Sequence, residues 1–143
     1  MCSRRLNVLA RTPRRIDVRL ADSRFLVGPR FTEADVRLFT TAVRFDLVYY
    51  SHFKCNVRHL WDFQNIWGWL KDVYQLPGVR ETVDFLHIKR HYYGSQTWVN
   101  PSGIVPVGPT VDLRGPTGRE RFLSKNDDGI DRREPGLRES RAG

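Results

Sequence analysis

Aromatic residues are concentrated in one block of this chain, and the block is patterned for helices. Fifteen of the seventeen aromatic residues lie between Phe31 and Trp98. Apolar residues there recur at helical spacing, and no segment alternates with the period of two that a half-buried strand requires. The block holds more rings than the core of so short a segment needs. The sequence therefore predicts an all-α fold with an aromatic-lined site, or with a face that packs against something further.

A capping box predicts the start of the central helix. Thr32 is placed as the N-cap, and Asp35 follows three residues later, where its carboxylate reaches back to the Thr32 amide. Two apolar stripes follow along residues 36–50, and Val36 opens the first of them. Apolar residues on two faces indicate a helix that is buried on both sides. We expect this helix to lie at the centre of the domain.

Further helices follow the central one. The breaker pair Pro77-Gly78 ends one of them, and Gly94 is placed as the C-cap of the last. Helices are thus predicted over 63–74, 79–83 and 85–93.

Composition separates an arm and two ends from this helical core. Residues 100–116 are rich in proline and glycine, which predicts an extended arm over the surface of the domain. Residues 1–15 hold five arginines, no acidic residue and a proline, which predicts a disordered leader, with a mitochondrial presequence as the alternative. Residues 123–143 carry too few large apolar groups to offset the entropy of ordering, which predicts a disordered tail. The helical domain is assigned to residues 16–122.

The net charge of +8 is carried by the two ends of the chain. Basic and acidic residues balance between residues 31 and 113. Domains that bind nucleic acid concentrate positive charge on the folded surface, so no nucleic-acid partner is predicted. Apolar runs are far shorter than the roughly 20 residues that cross a bilayer, so no membrane span is predicted. Two cysteines in different contexts make no disulfide framework, which favours a reducing compartment and a cytoplasmic location.

Several spaced motifs carry a specific resemblance. The segment FTEADVRLF resembles the N-capping box that opens the central helix of the helical domain in glutathione transferases. The wider set of motifs is similar to the xi class, the glutathionyl-hydroquinone reductases. The similarity extends from about residue 16 to residue 122, and it is carried by RLADSRFLVG (19–28), RFDLVYYSHFKCN (44–56), DVYQLPGVRETVDF (72–85), HIKRHYYGS (87–95), NPSGIVPVGP (100–109) and GPTGRERF (115–122).

The resemblance implies a helical domain that supplies most of the pocket for an aromatic substrate. Family members join this domain to a thioredoxin-like domain, which binds glutathione as co-substrate and carries a cysteine in a Cys-Pro-Trp-Ala motif at a helix N-terminus. That position stabilises the thiolate, which attacks the sulfur of a glutathionyl-hydroquinone. No such motif occurs in these 143 residues. We expect an incomplete bundle that begins partway through the helical domain, lacks the thioredoxin-like half and is inactive alone.

Three tyrosines are the candidate substrate-binding residues that the resemblance implies. Tyrosines of the helical domain line the hydroquinone pocket in the family, and VYYSH and HYYGS match where those tyrosines lie. Tyr49 and Tyr92 are the first choice, and Tyr93 is the third candidate. A phenol donates a hydrogen bond to a quinol oxygen while its ring packs on the ligand. The alternative is an aromatic core face that binds no ligand.

Cys55 and the four histidines give no catalytic or metal signature. No proline follows Cys55, and a packed core thiol is the expected role, with activation by nearby basic residues as the alternative. His87 and His91 are four residues apart, but no third ligand follows at a suitable spacing, so no metal is predicted. His52 and His59 are expected to cap a helix end or to line the cleft.

Two functional classes stay open. The first is the substrate-binding helical part of a glutathionyl-hydroquinone reductase, with an aromatic quinol as ligand and a thioredoxin-like domain supplied in trans. The second is a non-catalytic module that binds an aromatic ligand or mediates dimerisation. In both classes an uncovered apolar face predicts a homodimer.

Overall fold

The part of the chain that the structure describes contains four α-helices joined by turns and loops. The computed structural model describes the backbone of residues 3–123 and the side chains of residues 12–123, so the tail predicted beyond residue 123 lies outside the described residues. No strand occurs within residues 3–123, and the all-α class is confirmed. No helix in this range is long and apolar enough to cross a membrane. The elements are α1 (Ser3–Ala21), α2 (Glu33–Arg44), a π-helical turn (Phe45–Tyr49), α3 (Gln64–Tyr74), α4 (Phe85–Ser95), and 3₁₀ turns at Leu60–Asp62, Arg80–Thr82 and Glu120–Phe122.

The predicted disordered leader is helical where the structure describes it. α1 begins at Ser3 and contains Pro13, so the prediction of disorder is wrong for residues 3–15. Further along the same helix, Asp17 accepts hydrogen bonds from the amides of Asn65 at 2.9 Å and Ile66 at 3.0 Å, which holds α1 against the start of α3. A helix that is already docked extends at little cost through arginine, leucine and alanine.

The predicted capping box starts α2. The Thr32 amide donates to Asp35 Oδ2 at 3.0 Å. Asp35 is fully buried, and its other oxygen accepts from the Leu26 amide at 2.9 Å and from the indole N–H of Trp69 at 3.0 Å. One carboxylate therefore joins the helix start to the preceding turn and to α3.

α2 lies at the centre of the core, as its two apolar stripes predict. Phe39 and Val43 are buried in the same cluster as Trp69 of α3. Val36, expected on the same stripe, is 46 % exposed because it lies one turn nearer the helix start, at the edge of a groove. A second cluster joins the π turn to α4 and consists of Leu47, Val48, Ile88 and Tyr93.

α4 extends past its predicted end. The helix runs to Ser95 with Gln96 as its C-cap, so Gly94 lies inside the helix and the prediction of a glycine cap is wrong. Asn100 Nδ2 donates to the carbonyl of Tyr93 at 2.9 Å. In a helix that ends with a glycine cap, backbone N–H groups bond the last carbonyls. Here the Asn100 side chain, from the segment after α4, bonds the Tyr93 carbonyl instead.

The segment after α4 forms the predicted extended arm. Residues 103–113 adopt neither helix nor strand. Lys89 Nζ donates to the carbonyl of Val107 at 2.6 Å, and Gln75 Nε2 donates to that of Leu113 at 2.8 Å. Leu113 is 1 % exposed, so it anchors the arm in the core. The arm therefore lies across α4 and the end of α3.

Candidate functional site

A π-helical turn positions the first candidate tyrosine. The Tyr50 amide donates to the carbonyl of Phe45 at 2.9 Å, which is the five-residue spacing of a π turn. Tyr49 is the last residue of this turn. Because the turn contains more residues than an α-helical turn, Tyr49 points in a different direction from the one that a continuous α2 gives it. π turns of this kind recur at functional sites.

Tyr49 and Tyr92 form a pair of neighbouring phenols. Their hydroxyl oxygens are 3.4 Å apart, and their rings meet edge to face with centroids 6.0 Å apart. The Phe53 ring packs against both tyrosine rings, with its centroid 5.4 Å from that of Tyr49 and 5.9 Å from that of Tyr92. Both tyrosines are half-buried. The structure thus brings the two first-choice residues together across α4 and the π turn.

The Tyr49 phenol is protonated at neutral pH, and burial raises its pKa further. Desolvation is the largest cause that raises the pKa of Tyr49, to about 12, and the hydrogen bond with Tyr92 adds to the shift. Two neutral phenols carry two hydroxyl hydrogens, and the bond between them uses one. The second hydrogen is free to be donated to an oxygen of a bound aromatic ligand.

Tyr93 faces a different part of the molecule. Its ring is buried and meets the His52 ring edge to face, with ring centroids 4.7 Å apart. Its hydroxyl pairs with Ser51 Oγ and donates to the carbonyl of Leu47 at 3.5 Å. The hydroxyl of Tyr93 therefore holds the end of the π turn, whereas that of Tyr92 faces Tyr49.

An apolar groove lies between α2, α4 and the loop that follows α3. Its volume is about 570 Å³, and Phe39, Val43 and Ile88 form its floor. Arg44 lines the groove and is also close enough to Tyr49 to lower the pKa of that phenol, against the larger effect of burial.

Asp46 and His59 form a contact at the π turn that the sequence predicted only in part. Asp46 is buried in the π turn, and its Oδ1 accepts from His59 Nδ1 at 3.1 Å and from the Leu60 amide at 3.0 Å. Burial raises the pKa of Asp46, whereas these two hydrogen bonds lower it. His59 precedes the 3₁₀ turn as its N-cap, which agrees with the expected helix-end position. Its partner Asp46 lies thirteen residues earlier, and no local pattern in the sequence predicts that the two side chains meet.

Cys55 has the environment of a packed thiol. It is half-buried, and its Sγ contacts the carbonyl of Phe53 at 3.9 Å. Desolvation raises the pKa of Cys55, whereas activated cysteines have lowered pKa values. This environment favours the interpretation as a packed thiol over the nucleophile alternative.

The histidines are engaged with aromatic or amide neighbours. The rings of His87 and His91 stack with centroids 6.4 Å apart, and His52 Nε2 lies 3.0 Å from Gln96 Oε1. In the described part of the chain no three side chains of the metal-ligating types lie together. The prediction that no metal is bound stays a prediction.

The comparisons with known proteins point to one family. Residues 4–72 match the sequence profile described as "Glutathione S-transferase, C-terminal domain". The chain is 49% identical over 106 residues to the glutathionyl-hydroquinone reductase YqjG of Escherichia coli, covering 74% of this chain and 32% of that protein. It is 47% identical over 102 residues to the glutathionyl-hydroquinone reductase PcpF of Sphingobium chlorophenolicum, covering 71% and 33%. The chain thus spans about a third of the length of these relatives.

Solved structures agree with this relationship. The glutathione-bound structure of E. coli YqjG superposes with a TM-score of 0.79 at 44% identity, covering 82% of this chain and 38% of that one. A xi-class glutathione transferase from Natrialba magadii has a TM-score of 0.79 at 46% identity, covering 81% and 36%. The chain therefore belongs to the glutathione transferases, as a C-terminal helical domain of the xi-class type.

Proposed function

We propose that this chain binds the aromatic ring of a quinol for a glutathione-dependent reductase of glutathionyl-hydroquinones. The observation that carries the proposal is the Tyr49–Tyr92 phenol pair, 3.4 Å between oxygens, which is flanked by the Phe53 ring. Aromatic edges pack on a ligand ring, and the free phenol hydrogen is available to a quinol oxygen. Two relatives that are named as glutathionyl-hydroquinone reductases support this assignment.

The covalent step belongs to a thioredoxin-like domain. A cysteine thiolate forms a disulfide with the glutathionyl sulfur, the bond from that sulfur to the ring carbon breaks, and the ring carbon takes a proton. A second glutathione thiolate then releases glutathione disulfide. In this scheme the tyrosine pair of the present chain holds the hydroquinone oxygen while the ring is released. The partner domain is proposed to act from the same or from another polypeptide.

Turnover tests the division of labour between the two domains. The 143-residue chain with a glutathionyl-hydroquinone and excess glutathione is expected to give no hydroquinone above the uncatalysed rate. Activity is expected when a thioredoxin-like domain with a Cys-Pro-Trp-Ala motif is added. Turnover by the chain alone that disappears in Cys55→Ser would overturn the proposal and make Cys55 the nucleophile.

Binding tests the tyrosine pair directly. Ring packing and one phenol hydrogen bond contribute about 1–3 kcal/mol, so the expected dissociation constant for methylhydroquinone is about 1 mM or weaker. Tyr49→Phe and Tyr92→Phe are each expected to weaken binding about three- to tenfold, measured by NMR titration under argon. Tyr74→Phe is the matched control, because Tyr74 is buried in the core and stacks on Phe85. Equal affinity in all four proteins would show that the pair is not the site.

A further inference from the structure

His59 contacts the π turn at two points on either side of Tyr49. Its Nδ1–H donates to Asp46 Oδ1 at 3.1 Å, three residues before Tyr49. Its ring stacks on the Tyr50 ring, one residue after Tyr49, with centroids 3.6 Å apart and planes 15° apart. Tyr49, whose phenol meets Tyr92, lies between these two anchors in the sequence.

The imidazole is itself held from its other face. The Trp61 ring stacks on it with centroids 3.8 Å apart and planes 14° apart, so the His59 ring lies between two aromatic rings. Trp61 in turn meets Trp67 of α3 edge to face at 6.3 Å. The His59 ring is therefore packed against α3 through Trp61, although its side chain remains 25 % exposed.

The π turn depends on such tertiary contacts. π-helical hydrogen bonding is rare and persists as short turns inside α-helices. Asp46 is buried, and its Oδ2 has no hydrogen-bond partner among the described residues. Donation from His59 and from the Leu60 amide to the other oxygen offsets part of the desolvation cost of this carboxylate. Without these contacts, the ordinary α-helical register becomes the competing arrangement.

We propose that His59 is a positioning residue for Tyr49, which it holds in the π register that brings the phenol to Tyr92. The inference rests on the proposed function and deepens it, since it names what orients the quinol-binding pair. A shift of one residue toward α-helical register rotates a side chain by about 100° around the helix axis. Such a rotation separates the Tyr49 hydroxyl from that of Tyr92.

Three substitutions divide the role of His59 into its two contacts. His59→Asn keeps an N–H donor near the place of Nδ1 and removes the ring stack. His59→Phe keeps a ring between Tyr50 and Trp61 and removes the donor. His59→Leu removes both contacts. Val57→Ala is the matched control, because it changes an exposed side chain in the same loop.

The first measurement is the nuclear Overhauser effect between the rings of Tyr49 and Tyr92 in chain labelled with ¹³C-tyrosine. The five tyrosines of the chain are assigned by Tyr→Phe substitutions. The effect is expected in the wild type and in Val57→Ala, reduced by roughly half in His59→Asn and His59→Phe, and lost in His59→Leu. If His59→Leu does not fold, the Asn and Phe variants decide. An undiminished effect in every folded His59 variant would overturn the proposal.

The second measurement is a double-mutant cycle on methylhydroquinone binding. In the chain with Tyr49, His59→Leu is expected to weaken binding at least about threefold. In the Tyr49→Phe background, the same substitution is expected to cause no further loss. If His59→Leu is unfolded, His59→Asn takes its place. Equal losses in both backgrounds would contradict an action through Tyr49. If the wild type binds no methylhydroquinone, the proposed function fails, while the inter-ring measurement still decides the role of His59.

Discussion

At the scale of single residues, burial assigns different roles to two weak acids near the site. Desolvation raises the pKa of both the Tyr49 phenol and the Cys55 thiol, because burial disfavours the charged form. A protonated phenol is a useful hydrogen-bond donor to a quinol oxygen, whereas a protonated thiol is a poor nucleophile. The raised pKa therefore argues against Cys55 as the catalytic residue, whereas the Tyr49 phenol is a hydrogen-bond donor at neutral pH with or without the shift.

The pH dependence of alkylation tests the state of Cys55. In a Cys2→Ser background, the rate with iodoacetamide is expected to rise with an inflection above that of an ordinary free thiol, because burial raises the pKa of Cys55. Unfolding in urea is expected to shift the inflection down toward that of an ordinary thiol. An inflection in the folded chain well below pH 8 would show an activated thiolate, on the usual scale of about 8.5 for a free cysteine.

At the scale of elements, α3 closely approaches the segment that follows the arm. A Cβ added at Gly68 in α3 meets the carbonyl oxygen of Thr117 at 2.6 Å and Cγ of Arg119 at 3.2 Å. Arg119 is buried and donates to the carbonyls of Leu20 at 3.1 Å and Arg24 at 2.8 Å. The absence of a side chain at residue 68 thus allows the segment after the arm to join α3 to the end of α1.

Substitution of this glycine tests how much the close approach matters. Gly68→Ala is expected to lower the free energy of unfolding by about 1–3 kcal/mol, because a backbone oxygen blocks the new methyl group. Gly94→Ala is the matched control. Gly94 also lies inside a helix, but its Cβ position is open, so alanine is expected to stabilise by up to about 1 kcal/mol.

Urea unfolding, followed by circular dichroism, measures both changes. Equal stability of the two alanine variants would mean that the arm yields easily at α3 and that the observed approach is not a constraint.

At the scale of the whole molecule, several large apolar side chains are left exposed. Phe31 and Val36 line one edge of the groove between α2 and α4, and Leu86 at the start of α4 is also exposed. Apolar side chains that are exposed together at the edge of one groove, as Phe31 and Val36 are, mark an interaction site or an aggregation liability. We propose that the isolated chain associates with itself through the groove edge.

Light scattering at micromolar concentration checks this association. A mass of at least twice that of the chain is expected, and Val36→Lys is expected to shift the population toward monomer, because it places a charge on the groove edge. Val107→Lys is the control: Val107 is 97 % exposed and lies on the arm, away from the groove lining. A monomer in the wild type would contradict the proposal, as would equal effects of the two substitutions.

Some of this organisation followed from local patterns in the sequence. The capping box of Thr32 and Asp35, the end of α3 before Pro77-Gly78 and the all-α class were predicted and confirmed. Each depends on residues within one or two helical turns of each other, so their spacing along the chain already contains the information. The extended arm likewise follows from its proline and glycine content.

Other features were decided only by tertiary contacts. Helix α1 extends through residues predicted as disordered, because Asp17 docks it on α3, 48 residues further along the chain. The sequence HYYGS does not distinguish its two tyrosines, yet Tyr92 faces Tyr49 and Tyr93 faces Ser51. The packing of α4 against the π turn determines this difference. The contact between Asp46 and His59 belongs to the same group. Sequence alone determined the all-α class, the start of α2 and the chemical types in the site, since these are local properties. The folded structure decided which groups meet, because those contacts join positions that no local periodicity relates.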